Sequence, residues 1–395
     1  MRAVTVALDT PGLELDDVAG GDGMLFVRDG IGVAGRRVAA RVSIDDAPAL
    51  LASIDHDDRV GGRSPIALGA VPFEPGRSAT LVVPALLVGV AEDGTRWVTR
   101  IEGGDEPAPD LSPAPRPSPR AQRFDVGPLT PIDRYLSAVV AARDAVRDGS
   151  LLKAVIAREV SVRSDEPIDV HAVLLRLRAS FGSSHRYSID GLVGASPELL
   201  VSVTGDVVRS HPLAGTAPRT GDPATDDRIA EQLVASTKDQ VEHRVVIDMI
   251  HDTLLPWCSY LDWEPEPSIV RVANVQHLGT AMEGRLSDPR PDVLELVRAL
   301  SPTPALGGFP RAEALQLIAE HEGFDRGRYG GAVGWVDARG DGTWAVTIRC
   351  AELSDDRCSA RLVAGGGIVA ASDPSAELAE TQAKLQAMLS AIVRP

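Results

Sequence analysis

An acidic residue on the apolar face of a helix is the first sign of chemistry in this sequence. The segment from Lys238 to Ile250, KDQVEHRVVIDMI, is predicted to form a helix with Glu242 on the same stripe as Val246 and Ile250. A carboxylate that faces a core is costly unless a cation pairs with it. Asp239 lies one turn earlier and points the same way. Two explanations stay open: a metal ion near Glu242, or an arginine partner or a tilt towards the helix edge.

Two further residues have the types that acid–base catalysis needs. Lys153 lies inside LLKAVIAREVSV, a run too continuously apolar for a half-exposed strand. It is either an exposed gatekeeper of an edge strand or a desolvated lysine whose amine can act as a base. Glu198 follows Ser196-Pro197 at a tight turn between two apolar strands. A carboxylate at such a turn is either solvated or catalytic.

The last predicted helix, from about Pro374 to Val393, carries four polar side chains on one face. They are Glu377, Glu380, Thr381 and Lys384, at spacings i, i+3, i+4 and i+7. A solvated Glu380–Lys384 pair is one explanation. Met388 and Ile392 continue the same stripe, however, so the charges could instead face the interior.

Several other residues could contact an anionic ligand. Gly215 and Thr216, in HPLAGTAPR, offer backbone N–H groups at a bend. Arg349 lies within the predicted strand TWAVTIRCAEL, where its guanidinium should meet an internal or a substrate carboxylate. The glycines Gly365–Gly367 allow close backbone approach to a ligand. His277, on the predicted strand SIVRVANVQHLGTAMEGRL, is by itself most simply a core residue.

The overall composition is that of a globular chain with room for one large domain or two. Its 395 residues are 44% apolar and 24% charged, and the net charge of −16 argues against nucleic acid or an anionic membrane as the main partner. Cys258, Cys350 and Cys358 have neither paired nor metal-ligand spacing. We find no signal peptide and no run of the roughly 18 apolar residues that a spanning helix needs. We therefore expect a soluble cytoplasmic protein.

The chain divides into three parts. Residues 1–102 read as short strands broken by Gly, Pro and Asp, and residues 129–395 carry all of the candidate residues above. Between them, residues 103–128 form a Pro-rich loop that includes GGDEPAPDLSPAPRPSP, which cannot continue a helix or a central strand. We interpret it as an exposed loop or linker.

Taken together, these segments resemble the chorismate-utilising enzymes, and specifically the isochorismate synthases. The resemblance covers the chain from about Tyr135 to its end and rests on the ordered motifs LKAVIARE, GASPELL, PLAGTAPR, STKDQVEH, QHLGTAMEGRL, PTPALGGFP, GGAVGW, TIRCAEL, AGGGIVAASDP and ELAETQAK. A weaker match, LGAVPFEPGRSATLVVP, spans residues 68–84. The resemblance implies a large α+β fold, similar to anthranilate synthase component I. In it, two packed antiparallel sheets are flanked by helices and form a single catalytic unit that includes the Pro-rich loop.

The resemblance also implies a metal site and a substrate site. Glu242 and Glu380 match magnesium ligands, and Asp239 and Glu377 match supporting or water-mediated ligands. Such an oxygen-only set, completed by water, suits Mg²⁺, which would hold the ring carboxylate of chorismate. The matching substrate-binding positions are Gly215, Thr216, His277, Arg349, Gly365, Gly367 and Lys384.

Two positions, Lys153 and Ala214, indicate which reaction the resemblance implies. Lys153 matches a lysine of family members that use water, whereas ammonia-using members carry glutamine there. Lys153 is then the general base that takes a proton from water attacking C2 of chorismate. Glu198 is the general acid that protonates the departing C4 hydroxyl. Ala214 stands where aminodeoxychorismate synthases carry lysine, since PLAGT replaces PIKGT.

Other functions of related enzymes share part of this pattern. A salicylate synthase would eliminate pyruvate from isochorismate in the same site, and it shares the lysine, the glutamate and the metal ligands. LGAVPF and PTPALGGFP favour isochorismate as the released product. Lys153 argues against an anthranilate synthase subunit, so no glutamine amidotransferase partner is expected. A non-catalytic paralogue would have lost a catalytic position, and none is lost here. We expect a monomer whose product enters menaquinone or siderophore synthesis.

Overall fold

The structure, a computed structural model, describes residues 1–10, 12–102, 110–117, 122–272 and 274–394. Its strands are β1 (Arg2–Ala7), β2 (Met24–Arg28), β3 (Ile31–Ser43), β4 (Asp55–Asp58), β5 (Ile66–Val71), β6 (Thr80–Val90), β7 (Arg96–Glu102), β8 (Phe124–Pro128), β9 (Lys153–Ser164), β10 (His185–Ile189), β11 (Leu192–Ser196), β12 (Leu199–Thr204), β13 (Val207–His211), β14 (Leu213–Pro218), β15 (Cys258–Trp263), β16 (Ser268–Arg271), β17 (Val275–Gly279), β18 (Met282–Leu286), β19 (Gly308–Phe309), β20 (Ala332–Asp337), β21 (Gly342–Val346), β22 (Cys350–Leu353) and β23 (Ser359–Ile368).

Helices cover the outside of these strands. They are α1 (Leu15–Ala19), α2 (Ala47–Ala52), α3 (Ile132–Arg147), α4 (Val170–Phe181), α5 (Pro223–Ala235), α6 (Thr237–Leu254), α7 (Val293–Leu300), α8 (Arg311–His321) and α9 (Pro374–Val393), with a 3₁₀ turn at Leu255–Trp257. The predicted α+β class is confirmed. None of the helices within the described ranges is both long enough and apolar enough to cross a membrane.

Hydrogen bonds link 20 of the described strands into one network, which folds back on itself. The long strands β3 and β6 pair with each other along most of their length and join its two halves. From β3 the first half runs through β2, β10, β11, β22 and β23 to β9. From β6 the second half runs through β5, β20, β21, β12, β13 and β18 to β15. Neighbours in both halves are antiparallel.

The two halves share one core, so they pack face to face as two layers. Tyr187 of β10 and Val363 of β23 reach this core from the first half, and Val333 and Trp344 reach it from the second. The first half is also buried on its other face, where Leu362 and its neighbours meet α4 and α9. A strand buried on both faces needs a continuous apolar run, which explains the sequence MLFVR in β2.

A second, much smaller sheet holds β14, β17 and β16. Its own core is small: Ala217, Leu278 and Leu233 of α5 are its fully buried members. Helix α6 extends from this unit into the large core, where Val246 and Ile250 are buried. Several candidate site residues therefore belong to the small sheet or to the helix beside it.

Two sequence-based boundaries differ from the structure. The stretch 268–286, predicted as one strand, forms three strands in two sheets. The chain reverses between β16 and β17 and then passes from the small sheet to the large one between β17 and β18. Of the predicted Pro-rich loop 103–128, residues 103–109 and 118–121 lie outside the described residues. Its last five residues are strand β8, which pairs with β9.

Candidate active site

One cleft brings together all of the site residues predicted from the sequence. All thirteen line it: Lys153, Glu198, Gly215, Thr216, Asp239, Glu242, His277, Arg349, Gly365, Gly367, Glu377, Glu380 and Lys384. They come from β9, β14, β17, β23, α6, α9 and the connections between strands. Ala214, the position that distinguishes the PLAGT motif, lines the same cleft.

Lys153 and Glu242 form a buried ion pair in this cleft. The Lys153 Nζ atom donates to Glu242 Oε1 at 2.7 Å, and the two side chains are 3% and 12% exposed. Lys153 is thus not an exposed residue at the edge of a sheet. The cation expected beside Glu242 is, in this structure, the Lys153 side chain. Gly367 makes room for the pair, because a Cβ there would lie 2.7 Å from Lys153 Cε and 2.8 Å from Glu242 Oε1.

Glu198 is a buried carboxyl group at the turn between β11 and β12. Its side chain is 3% exposed, and Oε1 has no hydrogen-bond partner within the described part of the chain. Burial raises the pKa of Glu198 from 4.5 to about 8, although a backbone hydrogen bond from Leu213 and the charges of Lys153 and Lys384 oppose the rise. At neutral pH the group is therefore mostly protonated and can donate a proton.

The carboxylates of α9 face the cleft, as the continued apolar stripe suggested. Lys384 Nζ contacts Glu380 Oε1 at 2.6 Å and donates to the Gly365 carbonyl oxygen at 2.8 Å. Burial and the nearby Glu380 raise the pKa of Glu377. Burial also acts to raise the pKa of Glu380, but Lys384, Lys238 and Arg349 outweigh it and hold that pKa below its ordinary value.

The carboxylate oxygens suit a magnesium ion. Glu377 Oε1 accepts from Ser372 at 2.7 Å, while its Oε2 is buried without a partner among the described residues. Gly366 leaves space there, since a Cβ would lie 2.7 Å from Glu377 Oε2. Over the described ranges, no three His, Cys, Asp or Glu side chains lie together at metal-binding spacing. Mg²⁺ commonly takes one or two carboxylates and completes its shell with water and substrate oxygens, so the acidic side chains of α6 and α9 in this cleft are the ones that could hold it.

The small sheet contributes a neutral histidine. Burial, with help from the charges of Arg349 and Lys384, lowers the pKa of His277 to about 3. Its Nδ1 lies 3.3 Å from the Gly215 carbonyl oxygen and 3.1 Å from the Thr216 hydroxyl. Because a carbonyl oxygen only accepts, Nδ1 carries the hydrogen and Nε2 is left as an acceptor. Nε2 is buried and has no partner within the described residues.

Arg349 is not inside a strand, contrary to the sequence-based prediction. Strand β21 ends at Val346 and β22 begins at Cys350, and Arg349 lies between them with a φ of 52°. This left-handed conformation is uncommon for a residue with a side chain. The Arg349 carbonyl oxygen accepts from Ala195 N–H at 3.1 Å, which holds the strained residue in place. Burial lowers the pKa of the guanidinium to about 10, still well above neutrality.

Comparison with known proteins identifies the family. The model of the family described as chorismate binding enzyme matches residues 78–393. The chain belongs to the chorismate-binding enzyme family. A family member from Mycobacterium tuberculosis (strain CDC 1551 / Oshkosh), provisionally named isochorismate synthase MenF, is 43% identical over 344 residues, which are 84% of this chain and 87% of that protein. Isochorismate synthase DhbC of Bacillus subtilis (strain 168) is 38% identical over 84% of this chain and 82% of its own length.

A solved structure supports the same fold. The menaquinone-specific isochorismate synthase MenF from Escherichia coli superposes with a TM-score of 0.83, covering 99% of this chain and 94% of that one. The two sequences are 23% identical. The likeness therefore concerns the fold of the chorismate-binding family.

Two lining residues with polar side chains, Tyr329 and Lys238, were not among the site residues predicted from the sequence. Tyr329 is buried in the cleft wall, where burial raises its pKa to about 12. Only its place just before the GGAVGW motif could have indicated it. Lys238 precedes Asp239 within the STKDQVEH motif, and its charge acts to lower the pKa values of Glu377 and Glu380. Its adjacency to Asp239 was the available signal.

Proposed function

We propose that the chain is an isochorismate synthase, which converts chorismate reversibly to isochorismate with Mg²⁺ as cofactor. The observation that carries the proposal is the buried carboxyl group of Glu198, whose pKa burial raises, in the same cleft as Lys153. A general acid and a candidate base around one ligand are what this isomerisation requires. The names of relatives that share most of the chain's length support the same activity.

In the proposed reaction, water adds at C2 of chorismate and the C4 hydroxyl leaves, so that product and substrate have the same mass. Lys153, in the form of the neutral amine, removes a proton from the attacking water, and Glu198 gives its proton to the departing hydroxyl, which leaves as water. The double bonds of the ring shift between the two carbons. Acid–base catalysis of this kind contributes on the order of 10²–10⁴-fold.

Other lining residues hold and orient the substrate in this proposal. Arg349 and Lys384 offer positive charge to the substrate carboxylates, and the backbone near Gly215 and Gly365 offers further polar contacts. The unpartnered Nε2 of His277 can accept a hydrogen bond from a hydroxyl group. Mg²⁺ bound at Glu242 and Glu380 would neutralise negative charge and orient a substrate carboxylate.

The direct test is to incubate the purified protein with chorismate and Mg²⁺, with and without EDTA, and to identify the products by chromatography and mass. We expect an equilibrium mixture of chorismate and an isomer of equal mass, whose formation stops with EDTA. Salicylate with an equal amount of pyruvate, formed faster than isochorismate decays alone, would instead assign a salicylate synthase. Absence of any product would refute an enzymatic function on chorismate.

A further inference from the structure

The outer edge of β9 has a gap in its strand pairing near the cleft. Along its inner edge, β9 pairs with β23 over nearly its whole length. On the outer edge, β19 pairs with Lys153 and Ala154, and β8 pairs from Val160 onwards. At the ends of the stretch between these pairings, Val155 N–H donates to the Gly307 carbonyl oxygen at 3.0 Å and the Glu159 carbonyl oxygen accepts from Leu129 N–H at 3.0 Å. In the described part of the chain, no backbone group pairs with the Val155 carbonyl oxygen or with Ala157 N–H on this edge. Backbone groups buried there need other partners.

A buried ion pair fills this gap. Glu322 Oε1 accepts from Ala157 N–H at 2.7 Å, and Arg326 Nη2 donates to the Val155 carbonyl oxygen at 2.7 Å. The two side chains also bond to each other, with Arg326 Nε donating to Glu322 Oε2 at 2.8 Å. Both are almost fully buried, at 1% and 2% exposure. At these two backbone groups the pair thus takes the place of a neighbouring strand.

Arg326 reaches further parts of the cleft wall. Its Nη1 donates to the Leu306 carbonyl oxygen at 2.7 Å, and its own carbonyl oxygen accepts from Tyr329 N–H at 3.1 Å. Its guanidinium lies 4.2 Å from the centre of the Phe73 ring. Val155, Leu306 and Tyr329 all line the cleft, whereas Glu322 and Arg326 do not.

We propose that Glu322 and Arg326 are positioning residues for the reaction, which fix the strand that carries Lys153 relative to the Leu306 loop and Tyr329. This inference rests on the proposed function. Lys153 is two residues from Val155, so release of the Val155 carbonyl loosens the backbone that orients the Lys153 amino group. A misplacement of about 1 Å in a catalytic group can lower the rate by about 10²-fold.

The first variant is Arg326→Lys. A lysine keeps the charge beside Glu322, but a single ammonium group cannot reproduce the fork that holds two carbonyl oxygens and the carboxylate. We expect kcat to fall by about tenfold or more, because the wall moves. KM should change less than kcat, because the anion contacts from α9 and the small sheet do not depend on this pair.

A matched control separates positioning from general stability. Arg186 and Asp16 form another buried pair, 2% and 3% exposed, outside the cleft lining. Arg186→Lys should weaken thermal stability to a similar degree as Arg326→Lys while kcat stays at the wild-type value. Glu322→Gln provides a second variant if Arg326→Lys does not fold.

Two results would overturn the proposal. One is wild-type kcat in folded Arg326→Lys and Glu322→Gln. The other is an equal loss of kcat in Arg186→Lys, which would assign the effect to loss of stability alone. Wild-type protein assayed alongside separates the proposed function from the positioning role. An inactive wild type would refute the proposed function and not the positioning role.

Discussion

The protonated state of Glu198 has a measurable effect on stability. In the folded chain burial raises its pKa from 4.5 to about 8. Between these two values the unfolded chain has released the proton and the folded chain has not. The free energy of unfolding therefore falls as the pH rises through this window. Replacing the carboxyl group with a neutral amide of the same size, Glu198→Gln, removes this dependence.

The size of the effect follows from the two pKa values. A tenfold change in an equilibrium constant corresponds to about 1.4 kcal/mol, so the penalty approaches roughly 5 kcal/mol above pH 8 and is about 3 kcal/mol at pH 7. At pH 5 it is below about 1 kcal/mol. Relative to wild type, the Gln variant should thus gain about 3.5 kcal/mol between pH 5 and pH 8. It should also lose turnover, because the amide cannot donate the catalytic proton.

Urea unfolding at several pH values, followed by circular dichroism, measures this difference. The control is Glu266→Gln, which changes an exposed carboxylate and should leave the pH dependence as in wild type. Effects of all other titrating groups cancel when each variant is compared with wild type at the same pH. A stability difference between Glu198→Gln and wild type that stays constant from pH 5 to pH 8 would show that Glu198 is ionised in the folded chain, and the general-acid assignment would fail.

Three further predictions concern activity. Isochorismate formation should decline as the pH rises through about 8, because Glu198 with its raised pKa loses the proton it must donate; a rate–pH profile that is flat across pH 7–9 would contradict this. Lys153→Ala should abolish turnover while chorismate still binds, as calorimetry can determine; near-wild-type turnover would remove the base assignment. Glu242→Ala should abolish the response of the rate to Mg²⁺. It should also lower the free energy of unfolding by about 3–5 kcal/mol, because Lys153 is left buried without its partner. A rate that is unchanged and still sensitive to EDTA would place the metal elsewhere.

Periodicity and burial arguments anticipated the elements that carry the site. The helix around Glu242 and the closing helix with Glu380 exist, and their acidic faces point into the cleft. A helical stripe fixes direction, since residues three and four apart share a face. The turn at Glu198 was also anticipated, because Ser-Pro-Glu separates two apolar strands.

Long-range geometry was less accessible from the sequence. Nothing local indicates that the cation beside Glu242 is Lys153, 89 residues away in the chain. The left-handed conformation of Arg349 was missed, since an arginine between two apolar strands reads as part of a strand. The Glu322–Arg326 pair looks like an ordinary surface pair at i, i+4 until the gap in the edge of β9 is known.

The cleft is lined by residues of two separate strand networks, the small sheet and the large one. This affects how a bound ligand acts on the protein. The small sheet carries Thr216 and His277; its own core has three buried side chains, while Ala214 and Val275 pack into the two larger cores. The large network carries Lys153 and the loop with Arg349. Regions with few buried contacts open at a fraction of the global unfolding free energy. A ligand that contacts both networks therefore stabilises the small sheet against local opening. Its binding should slow amide hydrogen exchange in the small sheet more than in the large network.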